Sequence, residues 1–195
     1  MATSPSALAS TQPTSVASFT TNADSGDNPR VEIKPATLTD IDYICHLQRI
    51  ETNREDSIGF IPRVCYENEI EGRRNGLLLL ARENDDEVGF VYATHRGGVV
   101  KIQQVAVQDD ARRLEVGSLL VDATIAPNDW VMSLRCRENL PAVDFWLNLG
   151  FEIQGVDRTP TKRGKGVLRF SKIVGGLWLP ANPREATEDG WLRNR

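Results

Sequence analysis

Residues 105–120 contain the groups of this chain that are best suited to bind a phosphate. Their sequence, VAVQDDARRLEVGSLL, predicts an apolar strand, a short polar turn and the start of a helix. Unpaired backbone N–H groups at a helix start lie at the positive end of the helix dipole and favour an anion. Arg112 and Arg113 add guanidinium groups that suit phosphate, and Gly117 and Ser118 stand at the helix start. The turn therefore predicts a phosphorylated ligand, and a solvated basic turn is the alternative.

Glu115 is the residue of this turn that opposes phosphate binding. A unit charge about 4 Å from a phosphate costs on the order of 1 kcal/mol in water and ~4 kcal/mol at an effective dielectric of about 20. This range corresponds to a loss of roughly fivefold to about a thousandfold in affinity. An acidic residue in a first helical turn also stabilises the helix by ~0.3–1 kcal/mol. Glu115 therefore either weakens a phosphate site or stabilises a helix start that binds no ligand.

A second stretch, residues 139–151, has the sequence NLPAVDFWLNLGF. Asn139 precedes a predicted helix that it could cap, Phe145 and Trp146 end the apolar face of that helix, and Gly150 with Phe151 opens the next strand. Together with the first stretch, it resembles the paired signatures of the GNAT superfamily of N-acyltransferases.

In the first GNAT signature, Arg or Gln is followed three residues on by Gly and five on by Gly or Ala. Arg112 and Gly117 match this pattern, whereas Glu115 replaces the first glycine. The resemblance implies a mixed α/β (α+β) fold, with a mostly antiparallel sheet flanked by helices in a single domain. It also implies acetyl-CoA, or another short acyl-CoA, as co-substrate, no metal, and a small-molecule or peptide amine as acceptor.

The resemblance further implies where the cofactor lies. The strand before the turn is expected to diverge from the strand that follows it, so that backbone groups at Val105 and Val107 pair with the pantetheine arm. The diphosphate is expected at the turn. The residues implied for cofactor binding are Val105, Ala106, Val107, Arg112, Arg113, Gly117, Ser118, Asn139 and Trp146.

Proton transfer has fewer candidate residues. Trp146 stands where many GNAT members carry a tyrosine that protonates the leaving thiolate, and an indole N–H cannot serve as that acid. We expect Trp146 to line the acyl or CoA pocket, with core packing as the alternative. Some members place a Glu in the strand that here contains Gln103 and Gln104, which are not bases. Glu55 and His95 are the candidates for the general base.

Hydrophobic periodicity predicts the order strand, two helices, three strands in hairpins, helix, strand, helix and two strands. This order favours a mixed sheet over a doubly wound parallel one. The second helix is predicted to direct Val64, Cys65, Tyr66 and Ile70 inward, and a later helix is predicted over residues 114–126. We divide the chain into a disordered Ser/Thr/Ala-rich tail (1–29), a GNAT-like acyltransferase domain (30–175) and a C-terminal extension (176–195).

Composition favours one soluble domain in the cytoplasm. The 195 residues carry a net charge of −4, which argues against non-specific nucleic-acid binding, and the basic run Lys162, Arg163 and Lys165 is expected to be a solvated loop. Three cysteines without metal-ligand spacing predict reduced thiols, and Cys136 is expected to be a small buried hydrophobe rather than a nucleophile. No apolar run approaches the ~20 residues that a membrane span requires.

Two other functions compete with acyl transfer. A catalytically degenerate GNAT-fold binding or regulatory module is supported by Glu115, by Trp146 and by the missing strand carboxylate. An unusual transferase that modifies a nucleobase is suggested by the basic run at 162–165, although the acidic net charge opposes it. Trp178 and Trp191 could pack on a second copy, forming a homodimer, or on their own domain.

Overall fold

The computed structural model describes residues 31–53, 59–112, 115–157 and 166–175. The strands are β1 (Val31–Pro35), β2 (Gly76–Glu83), β3 (Asp86–Arg96), β4 (Val99–Val107), β5 (Val131–Arg137), β6 (Glu152–Asp157) and β7 (Val167–Ile173). The helices are a 3-10 turn (Leu38–Asp40), α1 (Ile41–Asn53), α2 (Arg63–Ile70), α3 (Val116–Asp122) and α4 (Ala142–Asn148). The predicted order of elements is confirmed, whereas the tail 1–29 and the extension 176–195 lie outside the described residues.

The strands form one seven-stranded sheet in the order β1-β2-β3-β4-β5-β7-β6. Every neighbouring pair is antiparallel except β4 and β5. The two hairpin turns, Asn84-Asp85 and Gly97-Gly98, have positive φ at both residues, as tight two-residue hairpins require. The mixed, mostly antiparallel sheet is therefore confirmed.

Helices cover both faces of this sheet. On one face, α1 and α2 bury an apolar cluster that includes Ile44, Phe90 and Ala106. On the other face, α3 and α4 cover a larger cluster. The strands that carry the candidate site thus lie in the middle of the sheet, between two cores.

A β-bulge in β4 changes which side chains face each core. Tyr92 pairs with Gln104 but Ala93 pairs with Ile102, which leaves Gln103 as an extra residue. Ile102 therefore packs under α3 and α4, whereas Gln104 faces α1 and α2. Because one inserted residue reverses the alternation of a strand, simple period-two counting fails at Gln103.

Two sequence predictions about helices are wrong. Val64 is 54% exposed, because the buried face of α2 is centred on Tyr66 and Glu69, which are three residues apart. The helix predicted over residues 114–126 is shorter: α3 spans Val116–Asp122. It ends because the backbone N–H of Thr124 bonds the Val121 carbonyl and its hydroxyl bonds the same oxygen at 2.7 Å, which tightens the chain into a turn.

Asp40 stabilises the start of α1 in a pH-dependent way. Its carboxylate accepts hydrogen bonds from the Thr37 backbone N–H and from the Arg82 guanidinium, at 2.7 and 2.8 Å. Burial raises the pKa of Asp40, but the bonds from Thr37 and Arg82 outweigh burial and hold it below its usual range. A carboxyl with a depressed folded pKa stabilises the fold above the unfolded pKa of about 3.9 and loses that contribution as the pH falls through the folded pKa.

We therefore expect Asp40→Asn to lower the free energy of unfolding by about 1.5–3 kcal/mol at pH 7, the usual contribution of hydrogen bonds to a charged group. The loss should shrink toward zero as the pH falls through the acidic range. Urea unfolding at pH 7 and pH 3 measures both values. An equal loss at the two pH values would contradict this role.

Candidate functional site

The middle of the sheet opens where β4 and β5 separate. Residues 99–101 of β4 pair with residues 131–133 of β5, and the pairing ends there, although β4 continues to Val107 and β5 to Arg137. We call the opening between residues 102–107 and residues 134–137 the β4–β5 wedge. The expected divergence of these strands is confirmed.

Backbone groups of β4 point into this wedge. The N–H of Gln108 bonds the Val88 carbonyl of β3 at 2.8 Å. Because the direction of backbone groups alternates along a strand, Gln108 and Ala106 face β3, whereas Val105 and Val107 face the wedge. The structure thus places the backbone of Val105 and Val107 where an extended ligand could pair with it. The Ala106 side chain is buried in the cluster under α1 and α2.

Arg112 is held by protein groups on three sides. Its Nε donates to the Val107 carbonyl at 3.1 Å, its Nη2 lies 2.7 Å from Glu51 Oε2, and its Nη1 lies 3.2 Å from Asp109 Oδ1. Glu51 is buried at the end of α1. A phosphate at Arg112 would therefore compete with two carboxylates, one of them distant in sequence. Arg113, the other predicted phosphate ligand, lies outside the described residues.

The start of α3 is shaped by packing as well as by its N–H groups. A Cβ at Gly117 would lie 3.2 Å from the Phe145 ring, so glycine lets α3 approach α4. The Ser118 hydroxyl donates to the Glu115 carbonyl at 2.6 Å. Glu115 precedes the helix in the left-handed region, with φ 59°, and is exposed. The predicted turn therefore presents a carboxylate to solvent beside the first N–H groups of α3.

The described contacts of the second signature stretch, residues 139–151, stabilise the fold. Asn139 is exposed and provides no side-chain cap for α4, whose N-terminal cap position is Pro141. Trp146 is 5% exposed and packs edge-on against Phe145 and Phe151, with ring centroids 4.8 and 5.4 Å apart. The structure thus places Trp146 in the core, which is the alternative that the sequence left open.

The two candidate bases are not brought together. Glu55 lies outside the described residues. His95 Nδ1 lies 3.1 Å from the buried carboxylate of Asp129, which also accepts the Ala126 N–H at 2.7 Å. His95 pairs across from Val100, before the wedge opens, and so joins the β3–β4 hairpin to the loop before β5. Its observed contacts are structural.

A buried polar cluster that the sequence did not indicate connects α1, α2 and β4. Tyr66 is fully buried and its hydroxyl reaches Gln48 Oε1, at 2.9 Å, and Gln104 Oε1. Gln104 Nε2 donates to Gln48 Oε1 and to the Gly59 carbonyl, while Gln48 Nε2 donates to the Ile61 carbonyl at 3.0 Å. Burial raises the pKa of Tyr66, so this hydroxyl stays protonated near neutral pH and acts as a donor.

Tyr66→Phe should therefore lower the free energy of unfolding by roughly 1–3 kcal/mol, because the buried Oε1 of Gln104 loses its donor. Gln48 Oε1, by contrast, keeps the donors Ile61 N–H and Gln104 Nε2. Urea unfolding measures this loss, and Tyr43→Phe is the matched control because Tyr43 is only partly buried and contacts Gln108 at 3.2 Å. A loss no larger than that of the control would show that Tyr66 acts only through its ring.

Neighbouring Glu69 is a buried carboxylate on α2. Its Oε1 accepts the Tyr92 hydroxyl at 3.0 Å, and its Oε2 has no partner within the described part of the chain. A Cβ at Gly76 would lie 2.1 Å from that Oε2, so a larger residue at this position of β2 would require the Glu69 side chain to shift. Glu69 is enclosed by protein.

Other kinds of site find no support in the described ranges. Cys136 is 7% exposed, and burial raises the pKa of its thiol to about 11, which disfavours a reactive thiolate. Within these ranges, no group of three or more His, Cys, Asp or Glu side chains could hold a metal ion. Nor does any helix there have the length and apolar character needed to cross a membrane.

A mixed sheet that opens between its parallel strands, followed by a turn and a short helix, is the arrangement that the resemblance to GNAT N-acyltransferases implied. The family model described as acetyltransferase (GNAT) domain matches residues 74–153, which contain the wedge and both signature stretches. No curated protein matches the sequence.

Solved structures share the fold at low identity. Ard1 from Thermoplasma volcanium matches with a TM-score of 0.62 and 19% identity over 75% of this chain and 99% of that one. The ribosomal-protein-S18-alanine N-acetyltransferase from Escherichia coli matches with a TM-score of 0.61 and 18% identity over 78% of this chain and 97% of that one. The PaiA N-acetyltransferase from Thermoplasma acidophilum, solved with coenzyme A, matches with a TM-score of 0.57 and 13% identity over 74% and 99%. Residues 74–153 thus match the GNAT acetyltransferase family model, and the described residues share the fold of these solved N-acetyltransferases.

Proposed function

We propose that this protein transfers an acetyl or other short acyl group from an acyl-CoA to a primary amine. The observation that carries the proposal is the β4–β5 wedge, because it directs the Val105 and Val107 backbone groups into a slot that ends at the turn before α3. The similarity to N-acetyltransferases, one of them solved with coenzyme A, supports the same assignment.

The residues of β4 fit the pantetheine arm of an acyl-CoA better than the residues of the turn before α3 fit its diphosphate. The Val105 backbone and the Val107 N–H would pair with the pantetheine amides as a neighbouring strand would, because the Val107 carbonyl already accepts a hydrogen bond from Arg112. The N–H groups near Gly117 and Ser118 would face the diphosphate, and the exposed Glu115 carboxylate would repel it. Bound acyl-CoA supplies the thioester that acylates the amine.

In this reaction the amine lone pair attacks the thioester carbonyl, the C–N bond forms, and the C–S bond breaks to release the thiolate, which takes up a proton. Holding the amine beside the thioester supplies much of the rate by proximity. Gln104 cannot act as a base, and its bonds to Gln48 and Gly59 fix its orientation. We propose Glu55, or an ordered water, as the group that accepts the proton of the amine.

A catalytically degenerate binding module is the second candidate, and three observations favour it. Glu115 presents a carboxylate at the proposed diphosphate position. Arg112 is paired with Glu51 and Asp109. Trp146 packs in the core and leaves no tyrosine hydroxyl at the position of the usual acid.

A thermal-shift titration combined with an assay of CoA release distinguishes the two. Acetyl-CoA should raise the melting temperature by mass action, with about 2.7 kcal/mol of added stability at a hundredfold excess over Kd. Adenosine diphosphate, which carries a diphosphate without the arm, should stabilise less. Stabilisation by acetyl-CoA with no CoA release for any amine would show that the acyl-CoA site is present and would reject acyl transfer to the amines tested. Indifference to millimolar acetyl-CoA would reject acyl transfer and favour a degenerate module whose ligand is not an acyl-CoA.

A further inference from the structure

The sheet has a polar face beside the narrow end of the wedge. Toward α3 and α4, β5 and β7 carry the apolar side chains of the core, including Leu134 paired across from Phe170. The opposite face of the same strands carries Ser133 and Arg135 of β5 and Arg169 of β7. The helices α1 and α2 pack mainly against β2, β3 and β4, and the two arginines on this part of the face stay about half exposed.

Positive charge is concentrated on this face. Arg135 pairs directly across from Arg169, an arrangement of like charges that destabilises a sheet unless an anion lies between them. Asp157 of β6 provides one carboxylate, whose oxygens lie 3.2 Å from Arg135 and 3.5 Å from Arg169. Both guanidinium groups are about half exposed, with side-chain exposures of 47% and 48%.

Lys101 of β4 extends this charge toward the wedge. It pairs with Ser133, which is two residues before Arg135 on β5. Burial lowers the pKa of Lys101, and the nearby charge of Arg135 lowers it further, so the two cations interact. We call Lys101, Arg135 and Arg169 the basic row. Within this row, Arg135 and Arg169 share the Asp157 carboxylate, and Lys101 lies beside Arg135.

The basic row begins where the acyl group would lie. An arm that starts at the turn and follows β4 from Val107 to Ile102 covers about 17 Å at ~3.3 Å per residue, and so reaches the narrow end of the wedge. Lys101 is the last residue of β4 that pairs with β5 there. Two strand spacings of ~4.8 Å separate β4 from β7, and Arg169 lies level with Arg135, two residues along β5 from Ser133, so its backbone lies roughly 12 Å from this end.

We propose that the basic row binds an anionic group of the acceptor, a carboxylate or a phosphate, which lies within roughly 12 Å of the amine that is acylated. This inference rests on the proposed acyl transfer and names its acceptor class. An anion that binds beside the Asp157 carboxylate could form bidentate bonds to the half-exposed guanidinium groups of Arg135 and Arg169. It would also orient the amine toward the thioester, which makes Arg169 a residue for binding and specificity.

The test compares amines that differ only in their anion. The first pair is 4-aminobutyrate and 4-aminobutyramide, and the second is O-phosphoethanolamine and ethanolamine. With acetyl-CoA saturating, CoA release should show kcat/KM at least tenfold higher for the anionic member of one pair. The pair with the larger ratio identifies carboxylate or phosphate as the preferred group.

Arg169→Gln should reduce that ratio at least tenfold, whereas Arg73→Gln, which removes an exposed arginine on another part of the surface, should leave it unchanged. The melting temperature and its increase with acetyl-CoA verify that each variant is folded.

Equal kcat/KM for the two members of both pairs would overturn the inference while the proposed acyl transfer stands. An unchanged ratio of kcat/KM between the anionic and neutral amine in Arg169→Gln would do the same. Acetyl-CoA binding with no turnover of either anionic amine would also overturn it. Absence of acetyl-CoA binding and of all turnover would instead reject the proposed function.

Discussion

Glu115→Gly is expected to bind acetyl-CoA roughly fivefold to about a thousandfold more tightly than the wild-type protein. The physical reason is the repulsion between the exposed Glu115 carboxylate and a diphosphate about 4 Å away, whose magnitude depends on how far water screens the pair. Isothermal titration calorimetry at low and high salt measures the change. The gain in affinity should be larger at low salt, because ions screen exposed charges.

Glu115→Gln is the matched control, because it removes the charge and keeps a side chain at a left-handed position, φ 59°. Both variants should gain affinity, and only Gly should also gain stability, by about 1 kcal/mol from the relieved backbone. If neither variant binds acetyl-CoA more tightly, the diphosphate does not lie at this turn. If only Gly does, the side chain rather than its charge blocks the ligand.

Trp146→Ala is expected to lower the free energy of unfolding by about 3–5 kcal/mol, the usual cost of truncating a buried aromatic residue. The indole is 5% exposed and packs against Phe145 and Phe151, so its removal leaves a cavity in the larger core. Urea unfolding measures this loss.

Trp146→Phe keeps a ring at the same place and should lose clearly less stability than Trp146→Ala. Its affinity for acetyl-CoA should equal that of the wild-type protein, since Trp146 acts through packing. A stability loss below about 1 kcal/mol for Trp146→Ala, together with a weaker affinity for acetyl-CoA in Trp146→Phe, would instead show that the indole lines the cofactor pocket.

Most of the fold could be predicted because its signals are local. Alternating apolar residues defined the strands, and Asn84-Asp85 and Gly97-Gly98 are residue types that accept positive φ in tight hairpins. The length of α3 was overestimated because apolar spacing continues past Asp122, whereas the Thr124 hydroxyl and backbone close the turn there. A polar side chain that bonds a nearby backbone carbonyl can end a helix, and hydrophobic periodicity does not detect such a bond.

The candidate site was less predictable because its contacts join distant parts of the chain. The pairing of Arg112 with Glu51 and the contact of Tyr66 with Gln104 depend on how α1 and α2 pack on β4. The bulge at Gln103 reverses the alternation of β4, so no period-two pattern assigns Gln104 to the α1 and α2 face. Arg135 and Arg169 are 34 residues apart in sequence and meet only through strand pairing. By contrast, the predicted divergence of β4 from β5 came from a resemblance and is confirmed.

Hydrogen exchange of the β4 backbone with and without acetyl-CoA tests the central claim most directly. If the pantetheine arm pairs with β4 in the wedge, acetyl-CoA should slow exchange at the Val105 and Val107 amides, which point away from β3. Amides of β2, which pairs with β1 and β3, should keep their rates. Unchanged exchange at Val105 and Val107 under saturating acetyl-CoA would contradict the assignment of the β4–β5 wedge as the acyl-CoA site.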